Sequence, residues 1–177
     1  GEYSGAYING SSPTISHMRI QNKTVRGMYI TATSNLNFEY LIIKNNITSI
    51  VGAGIEITNS NGITFNHCVI DNNESTSEKG GGISITNSSV SFDSSSISYN
   101  TSANQGGGLY AASNSNVTIT GSHILYNTAV SEGGGVYISD IGSLNLTNTN
   151  ISFNESTNSG GGIASLYNID LTMVNCI

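Results

Sequence analysis

The sequence predicts an all-β fold, a solenoid of six to seven stacked coils with about 27 residues and three short parallel strands in each coil. Two recurring marks support this prediction. Glycine-rich triplets end at Gly54, Gly82, Gly108, Gly135 and Gly162, at nearly constant spacing. The pattern Ile-x-x-Asn recurs with a constant period, at Ile43–Asn46, Ile70–Asn73, Ile97–Asn100, Ile124–Asn127 and Ile151–Asn154. A fixed period of this length is typical of units that bury their apolar faces only by stacking on one another.

Each coil contains three segments in which apolar and polar residues alternate, as in half-buried strands. The first segment follows the glycines, with apolar pairs such as Ile55/Ile57 and Ile83/Ile85. The second carries the pairs Leu36/Phe38, Ile63/Phe65, Val90/Phe92, Val117/Ile119, Leu144/Leu146 and Ile169/Leu171. The third is the Ile-x-x-Asn segment. Stacking the coils in register places equivalent apolar residues in columns, and burying each Ile or Phe contributes about 1.5–3 kcal/mol.

The bends between the strands have their own chemistry. Glycine before a strand accepts a positive φ at no steric cost and lets the backbone turn sharply. The asparagine of Ile-x-x-Asn tolerates the left-handed conformation, and stacked asparagine side chains hydrogen-bond one another as an amide ladder. The expected ladder consists of Asn46, Asn73, Asn100, Asn127 and Asn154. Lys23 stands in the corresponding place of the first coil, so we expect the ladder to begin at the second coil.

Composition narrows the classes of partner. The 177 residues carry a net charge of −6 with only five basic residues, so we expect no nucleic-acid partner. No apolar run is long enough to insert this chain into a membrane. The pair Cys68 and Cys176 lies about four coils apart, farther than the roughly 7 Å between Cα atoms that a disulfide spans. Both cysteines are therefore expected to be free.

We expect a single β-helix domain over residues 1–177, as part of a longer repeat protein or as a filament subunit. The end coils of a solenoid expose apolar columns and unpaired strand edges, which stack on another copy unless they are capped. No capping helix is predicted at either end, so the chain itself is one expected partner through end-to-end stacking. The first residues, Gly1 to Ser4, do not resemble an export signal, so the signal of an exported chain would lie outside them or have been removed.

The motifs Gly-Gly-Gly-Ile/Leu/Val, Ile-Ser-Tyr-Asn at 97–100 and Ile-Ser-Phe-Asn at 151–154 resemble the repeats of a known class of solenoid. This class is the right-handed parallel β-helix of the pectin-lyase-like superfamily. Within it, the repeats are most similar to the polymorphic outer-membrane protein type of autotransporter passenger, although Ile here replaces the Phe of that family's Phe-x-x-Asn. The resemblance implies an extracellular or cell-surface location and a structural or adhesive role, and it does not imply catalysis.

We identify no catalytic, cofactor-binding or metal-binding residues in the sequence. Enzymes that cleave glycosidic bonds place two carboxyl groups about 5–9.5 Å apart, and here only Glu39 and Asp93 fall near one column. His17, His67 and His123 occupy similar places but are separated by about two coils, too far to share a metal. The expected function is a non-enzymatic structural or adhesive module. The alternative is a polysaccharide-binding or polysaccharide-degrading β-helix protein.

Two sets of surface residues are candidates for interaction with sugars. Tyr7, Tyr29, Tyr110 and Tyr137 share one outward position, where they either stiffen the surface by stacking or form a strip that stacks on sugar rings of surface glycans. Tyr99, Tyr126 and Phe153 directly precede ladder asparagines and are expected to stack beside them. Among the Asn-x-Ser/Thr sequons, the outward or loop positions Asn9, Asn22, Asn116, Asn145 and Asn150 are the candidate glycosylation sites.

Overall fold

The computed structural model describes residues 4–10, 14–140, 142–167 and 169–177. These residues form 25 strands and contain no helix. All strand pairs are parallel, and each strand inside a sheet pairs with its equivalents one coil before and one coil after. The predicted all-β parallel solenoid is therefore confirmed. Ile97 and Ile124, which occupy the same place in successive repeats, are direct partners across neighbouring strands, as in-register stacking requires.

The first two sheets contain seven strands each. The first sheet follows the glycines and consists of β1 (Ala6–Asn9), β4 (Met28–Thr31), β8 (Ile55–Thr58), β12 (Ile83–Thr86), β16 (Leu109–Ala112), β20 (Val136–Ser139) and β24 (Ile163–Leu166). The second consists of β2 (Thr14–Ser16), β5 (Asn37–Glu39), β9 (Ile63–Asn66), β13 (Ser89–Asp93), β17 (Asn116–Thr120), β21 (Gly142–Thr147) and β25 (Ile169–Val174). Seven strands per sheet agree with the predicted number of coils.

The remaining two sheets are narrower. The third contains the Ile-x-x-Asn segments and consists of β3 (Arg19–Gln21), β6 (Ile42–Lys44), β10 (Val69–Asp71), β14 (Ser96–Ser98), β18 (His123–Leu125) and β22 (Asn150–Ser152). The fourth consists of the two-residue strands β7 (Ile47–Thr48), β11 (Glu74–Ser75), β15 (Thr101–Ser102), β19 (Thr128–Ala129) and β23 (Glu155–Ser156). The prediction of three strands per coil was incomplete, because strands of two mostly polar residues carry no period-2 apolar signal.

The core consists of columns of like residues. The rings of Phe38, Phe65 and Phe92 stack with centroid separations of 4.8 and 5.0 Å, and all three are buried. In the last coil the predicted register was wrong. Leu171 pairs with Leu144, and Met173 rather than Leu171 continues the phenylalanine column beyond Leu146. The alternating apolar residues of β25 allow either alignment, and the repeat period selects the observed one.

The predicted amide ladder is confirmed. Each Nδ2 donates to the Oδ1 of the next asparagine, at 2.8 Å for Asn46 to Asn73 and at 3.0 Å for the three steps that lead through Asn100 and Asn127 to Asn154. The backbone N–H of Lys23 donates to Asn46 Oδ1 at 3.0 Å, so the ladder begins at the second coil as expected. Its amides thereby satisfy buried backbone groups that the bend leaves unpaired.

The left-handed residue of this bend was predicted incorrectly. None of the five ladder residues, all of them described, has a positive φ. The positive φ belongs to the residue directly before each ladder asparagine, which is Asn45, Asn72, Tyr99, Tyr126 or Phe153, with φ between 52° and 58°. This arrangement directs the ladder asparagine inward, and it leaves the side chain before it on the surface.

Two further buried ladders consist of hydroxyl groups. At one corner the backbone N–H of Thr33 donates to Ser60 Oγ at 3.2 Å, and the N–H of Ser60 donates to Ser88 Oγ at 3.0 Å. At another corner Ser95 and Ser122 form the same connection at 3.0 Å. These hydroxyl groups also donate to nearby carbonyl groups, as Ser60 does to Thr58 O at 2.8 Å. These two corners therefore satisfy backbone polar groups internally.

The glycine triplets are required by two different constraints. Gly106, the first of its triplet, has φ +68°, a conformation that L residues rarely adopt. Gly107, the second, lies against the next coil, where a Cβ atom would meet the carbonyl oxygens of Gly134 and Thr128 at 2.5 Å each. The predicted positive φ therefore applies to the first glycine, and close approach between coils explains the second.

Candidate functional site

The four tyrosines of the first sheet form two separate pairs. The rings of Tyr7 and Tyr29 lie 5.6 Å apart, and those of Tyr110 and Tyr137 lie 5.5 Å apart. Between the pairs, the same column contains Glu56 and Ser84. The strip is therefore interrupted for two coils, as the sequence itself predicts from Glu56 and Ser84.

Most of these rings are covered. Tyr137 is only 5% exposed, and burial raises the pKa of its phenol. The Arg26 guanidinium lies over the Tyr29 ring at 4.9 Å, and Lys79 Nζ lies 4.9 Å from the Tyr110 centroid. Only Tyr7, at 61% exposed, offers an open ring. Arg26 and Lys79 belong to the loops that precede the first sheet's strands, and the repeat pattern alone does not reveal this cover.

Glu56 is the half-buried acid of this column. Its Oε2 lies 2.6 Å from Nη1 of Arg26, and both side chains are 14% exposed. Burial raises the pKa of the Glu56 carboxyl more than the Arg26 charge lowers it. The neighbours of Glu56 in the column are Tyr29 and Ser84, so no second carboxyl group stands beside it there. The ion pair attaches the loop that contains Arg26 to the first sheet. It does not supply the two carboxyl groups that a glycosidase site needs.

An open aromatic surface lies instead at the corner between the third and fourth sheets. The predicted stack of Tyr99, Tyr126 and Phe153 is confirmed, with both centroid separations at 4.9 Å and interplanar angles of 8° and 6°. These side chains are 55%, 43% and 68% exposed. The left-handed backbone at all three residues turns the rings outward, away from the ladder asparagines that follow them.

The same corner continues as a row of amides in the earlier coils. Asn72 Nδ2 donates to Asn45 Oδ1 at 2.8 Å. The backbone N–H of Asn72 donates to Ser98 O, directly before Tyr99, which places the amides and the rings in one column. We call this column the corner ribbon; it consists of Asn45, Asn72, Tyr99, Tyr126 and Phe153.

A second ring stack lies at the corner between the second and third sheets. Tyr40 lies between His17 and His67, with centroid separations of 4.9 and 5.2 Å. His123 was wrongly grouped with these two histidines, because it lies within β18 as the partner of Ser96 and Asn150. Among the described residues, no group of three or more His, Cys, Asp or Glu side chains could hold a metal ion.

The sequon asparagines differ in accessibility. Asn9, Asn22 and Asn116 are exposed, whereas Asn145 and Asn150 are half-buried. Asn116 Oδ1 accepts a hydrogen bond from Ser143 at 2.8 Å, and Asn150 Oδ1 accepts one from Ser152 at 2.8 Å. The first three sites therefore present the more accessible amides.

Several other expectations have definite outcomes. Cys68 and Cys176 are both free, as expected. Glu39 and Asp93 share one column but are separated by Asn66, one full coil between them. Within the described part of the chain, no helix has the length and apolar character needed to cross a membrane.

Comparison with known proteins supports the fold. A family model described as "Right handed beta helix region" matches residues 1–89 and 40–177, so the two matches together span the chain. Neither the curated proteins nor the solved structures contain a match.

Proposed function

The chain belongs to the right-handed β-helix family, and from this premise we propose that it is a non-enzymatic structural or adhesive module of an extracellular or cell-surface protein. The observation that carries the proposal is the hydrogen bonding that joins successive coils along the solenoid. The two seven-stranded sheets connect each coil to the next, and the narrower sheets, the amide ladder and the hydroxyl ladders add further connections between the inner coils. Such a stack is a stiff scaffold that presents rows of side chains at fixed spacing.

The outward residues support a presenting role more than a catalytic one. The outward positions of the second sheet are mainly Thr, Ser and Asn, for example Thr64, Ser91 and Thr118, which are partners in one row. The half-buried acid Glu56 is held by Arg26 and stands beside a serine and a tyrosine. Glycosidases need a second carboxyl group to activate water or to form the covalent intermediate.

Two further parts of the proposal concern modification and assembly. We propose that glycans attach at Asn9, Asn22 and Asn116 where the source cell glycosylates sequons, because these amides are exposed. We also propose that a further coil stacks on the last one, supplied by a second copy of the chain or by a longer repeat protein of which this chain is a part. Leu171 and Met173, which occupy inward core positions of the second sheet, remain 41% and 48% exposed in the last coil. Apolar side chains of this kind are covered when another coil stacks on them.

The experiment compares adhesion with cleavage. Beads coated with the protein are tested for attachment under flow to surfaces coated with different polysaccharides, and the same polysaccharides are incubated with soluble protein and assayed for new reducing ends and unsaturated products. We expect attachment without product. Product that accumulates with time and disappears in Glu56→Gln would contradict the proposal and establish the polysaccharide-degrading alternative. Absence of attachment to every surface, together with a constant particle mass at all concentrations, would also contradict it.

A further inference from the structure

We infer that the corner ribbon binds a neutral, extended polysaccharide that runs along the solenoid axis, with about one sugar unit per coil. The inference rests on the proposed adhesive function and names the ligand of that function. The inferred sugar-contacting rings are those of the exposed column, Tyr99, Tyr126 and Phe153. They replace the covered rings of Tyr29, Tyr110 and Tyr137 as candidates.

The ring geometry leaves part of each face accessible. Neighbouring centroids are 4.9 Å apart and the planes are nearly parallel. Parallel rings in contact are separated by about 3.5 Å, and a centroid separation of 4.9 Å then corresponds to a sideways shift of about 3.4 Å between neighbouring rings. The uncovered strips of ring face recur once per coil. A sugar ring presents apolar C–H groups on one face, and these groups pack on such a strip while its hydroxyl groups remain in water.

The spacing of the ribbon favours an extended ligand. Successive side chains are separated by the distance between parallel strands, about 4.8 Å, which is close to the length of one sugar unit in an extended chain. A polysaccharide along the axis therefore meets an equivalent site at each coil. Beyond Tyr99, Asn72 and Asn45 offer surface amide groups that donate to and accept from hydroxyl groups. The ribbon thus combines stacking in the later coils with hydrogen bonding in the earlier ones.

The charge around the rings selects a neutral ligand. The residues directly before the three rings are Ser98, Leu125 and Ser152. The residues two positions after them are Thr101, Thr128 and Glu155, so this group contains one acid and no base. The whole chain has a net charge of −6. Beside the two amides of the ribbon stand Lys44, Asp71 and Glu74, and Lys44 is the register partner of Asp71. The neighbours of the whole ribbon therefore contain three acids and one base. A polyuronate would be repelled by this excess of acids and by the net charge of the chain, whereas a neutral glycan is not repelled.

The chain supplies a matched control at the corner between the second and third sheets. Tyr40 is 49% exposed, has φ 54° and stacks on rings on both sides, as Tyr126 does with φ 56°. Asparagine is the suitable replacement at both positions, because Asn45 and Asn72 occupy the left-handed corner position naturally. The variants Tyr126→Asn and Tyr40→Asn therefore make the same chemical change at two corners, of which only one belongs to the corner ribbon.

The test is titration calorimetry of the full chain with neutral hexasaccharides of β-linked glucose, xylose and N-acetylglucosamine, and with hexagalacturonate. Tyrosine emission gives a second readout, because the chain contains no tryptophan. We expect saturable binding of at least one neutral hexasaccharide and weaker binding of hexagalacturonate. Tyr126→Asn should weaken binding by about tenfold, as expected for the loss of one stacking contact. Tyr40→Asn should retain the affinity of the unaltered protein, and circular dichroism should show both variants folded.

Three results would overturn the inference: no saturable binding of any neutral hexasaccharide, equal losses in Tyr126→Asn and Tyr40→Asn, or binding of hexagalacturonate as tight as that of the neutral ligands. If Tyr126→Asn fails to fold, Phe153→Asn takes its place with the same expected loss. Failure of this inference differs from failure of the proposed function. Bead attachment that persists without binding of neutral hexasaccharides overturns the inference alone, whereas cleavage of any hexasaccharide overturns the non-enzymatic function.

Discussion

Replacement of Asn100 by alanine removes the middle step of the amide ladder. Asn100 is fully buried, and its Nδ2 donates to Asn127 Oδ1 at 3.0 Å and to Ile70 O at 3.0 Å. Its Oδ1 accepts from both the backbone N–H and the Nδ2 of Asn73, each at 3.0 Å. The substitution therefore removes four hydrogen bonds. The buried N–H of Asn73 loses its acceptor, while Asn73 Nδ2 retains Ile43 O as a partner at 3.1 Å.

The cost follows from these contacts. A net contribution of about 0.5–1.5 kcal/mol for each hydrogen bond gives about 2–6 kcal/mol for the four, and an orphaned buried N–H alone costs about 1–3 kcal/mol. We therefore expect Asn100→Ala to lower the free energy of unfolding by about 3 kcal/mol. Asn100→Asp should cost more at neutral pH, because a carboxylate cannot donate to Ile70 O or Asn127 Oδ1. The aspartate variant should regain part of its stability in acid, where the protonated side chain donates once.

The assay is equilibrium urea unfolding followed by far-ultraviolet circular dichroism, with Asn116→Ala as the control. Asn116 is an exposed asparagine in the second sheet, so its removal should change the free energy of unfolding by less than about 0.5 kcal/mol. The reasoning is refuted if Asn100→Ala costs no more than the control. It is also refuted if Asn100→Asp is as stable as the unaltered protein at neutral pH.

Three further predictions test individual features. Gly107→Ala should cost about 1–3 kcal/mol because its Cβ would overlap backbone oxygens of neighbouring segments; Gly162→Ala, whose Cβ would meet only a side-chain atom of Ile151 at 3.6 Å, should change stability by less than about 0.5 kcal/mol in the same urea assay. Equal costs in the two variants would contradict the close approach at Gly107. Because burial raises the pKa of Glu56 above its ordinary value of 4.5, ionised Glu56 opposes folding. The protonated Glu56 side chain contributes its full stability below pH 4.5, and this contribution is lost as pH rises through the folded-state pKa. The urea midpoint of the unaltered protein should therefore fall relative to that of Glu56→Gln over this range. Parallel pH profiles of the two proteins would contradict the raised pKa. In a thiol titration, half-buried Cys176 should react in the native protein and buried Cys68 only after unfolding, and immediate reaction of both would contradict the buried position of Cys68.

The sequence was sufficient for those features in which one residue type repeats at one structural position. The isoleucine columns and the amide ladder were predictable because Ile97 and Asn100 recur with the same spacing one coil earlier and one coil later. The stack of Tyr99, Tyr126 and Phe153 followed from the same period. In-register stacking converts equal spacing along the chain into direct contact.

Features that depend on small or polar residues were harder to predict. Ser95 and Ser122 occupy equivalent places in successive coils, so the period contained the signal for a hydroxyl ladder. Serine is frequent in this chain and mostly exposed in proteins, however, and the pattern was not distinguished from an ordinary polar bend. The left-handed backbone at Tyr99 and Tyr126 was missed because left-handed positions usually carry Gly, Asn or Asp.

The tyrosine column that the sequence predicts as a sugar-binding strip is mostly covered, because the loops that cover it do not follow the repeat. Tyr110 and Tyr137 alternate with buried residues and were therefore correctly assigned to the outer side of a strand. Their exposure depends on the loops, which differ from coil to coil in composition. Lys79, which lies over Tyr110, has no counterpart that a periodic pattern would identify.

The central claim is that equivalent residues of successive coils lie directly on one another, and pairs of introduced cysteines test it most directly. In a chain carrying Cys68→Ser and Cys176→Ser, the pair Ser96→Cys and His123→Cys joins direct partners on neighbouring strands, about 4.8 Å apart and within disulfide range. The pair Ser96→Cys and Asn150→Cys spans two steps, about 9.6 Å and beyond that range. We predict that mild oxidation closes an intramolecular disulfide in the first pair only, detected as loss of the two thiol hydrogens by mass spectrometry. Closure of the second pair alone, or of neither pair, would contradict the stacked arrangement.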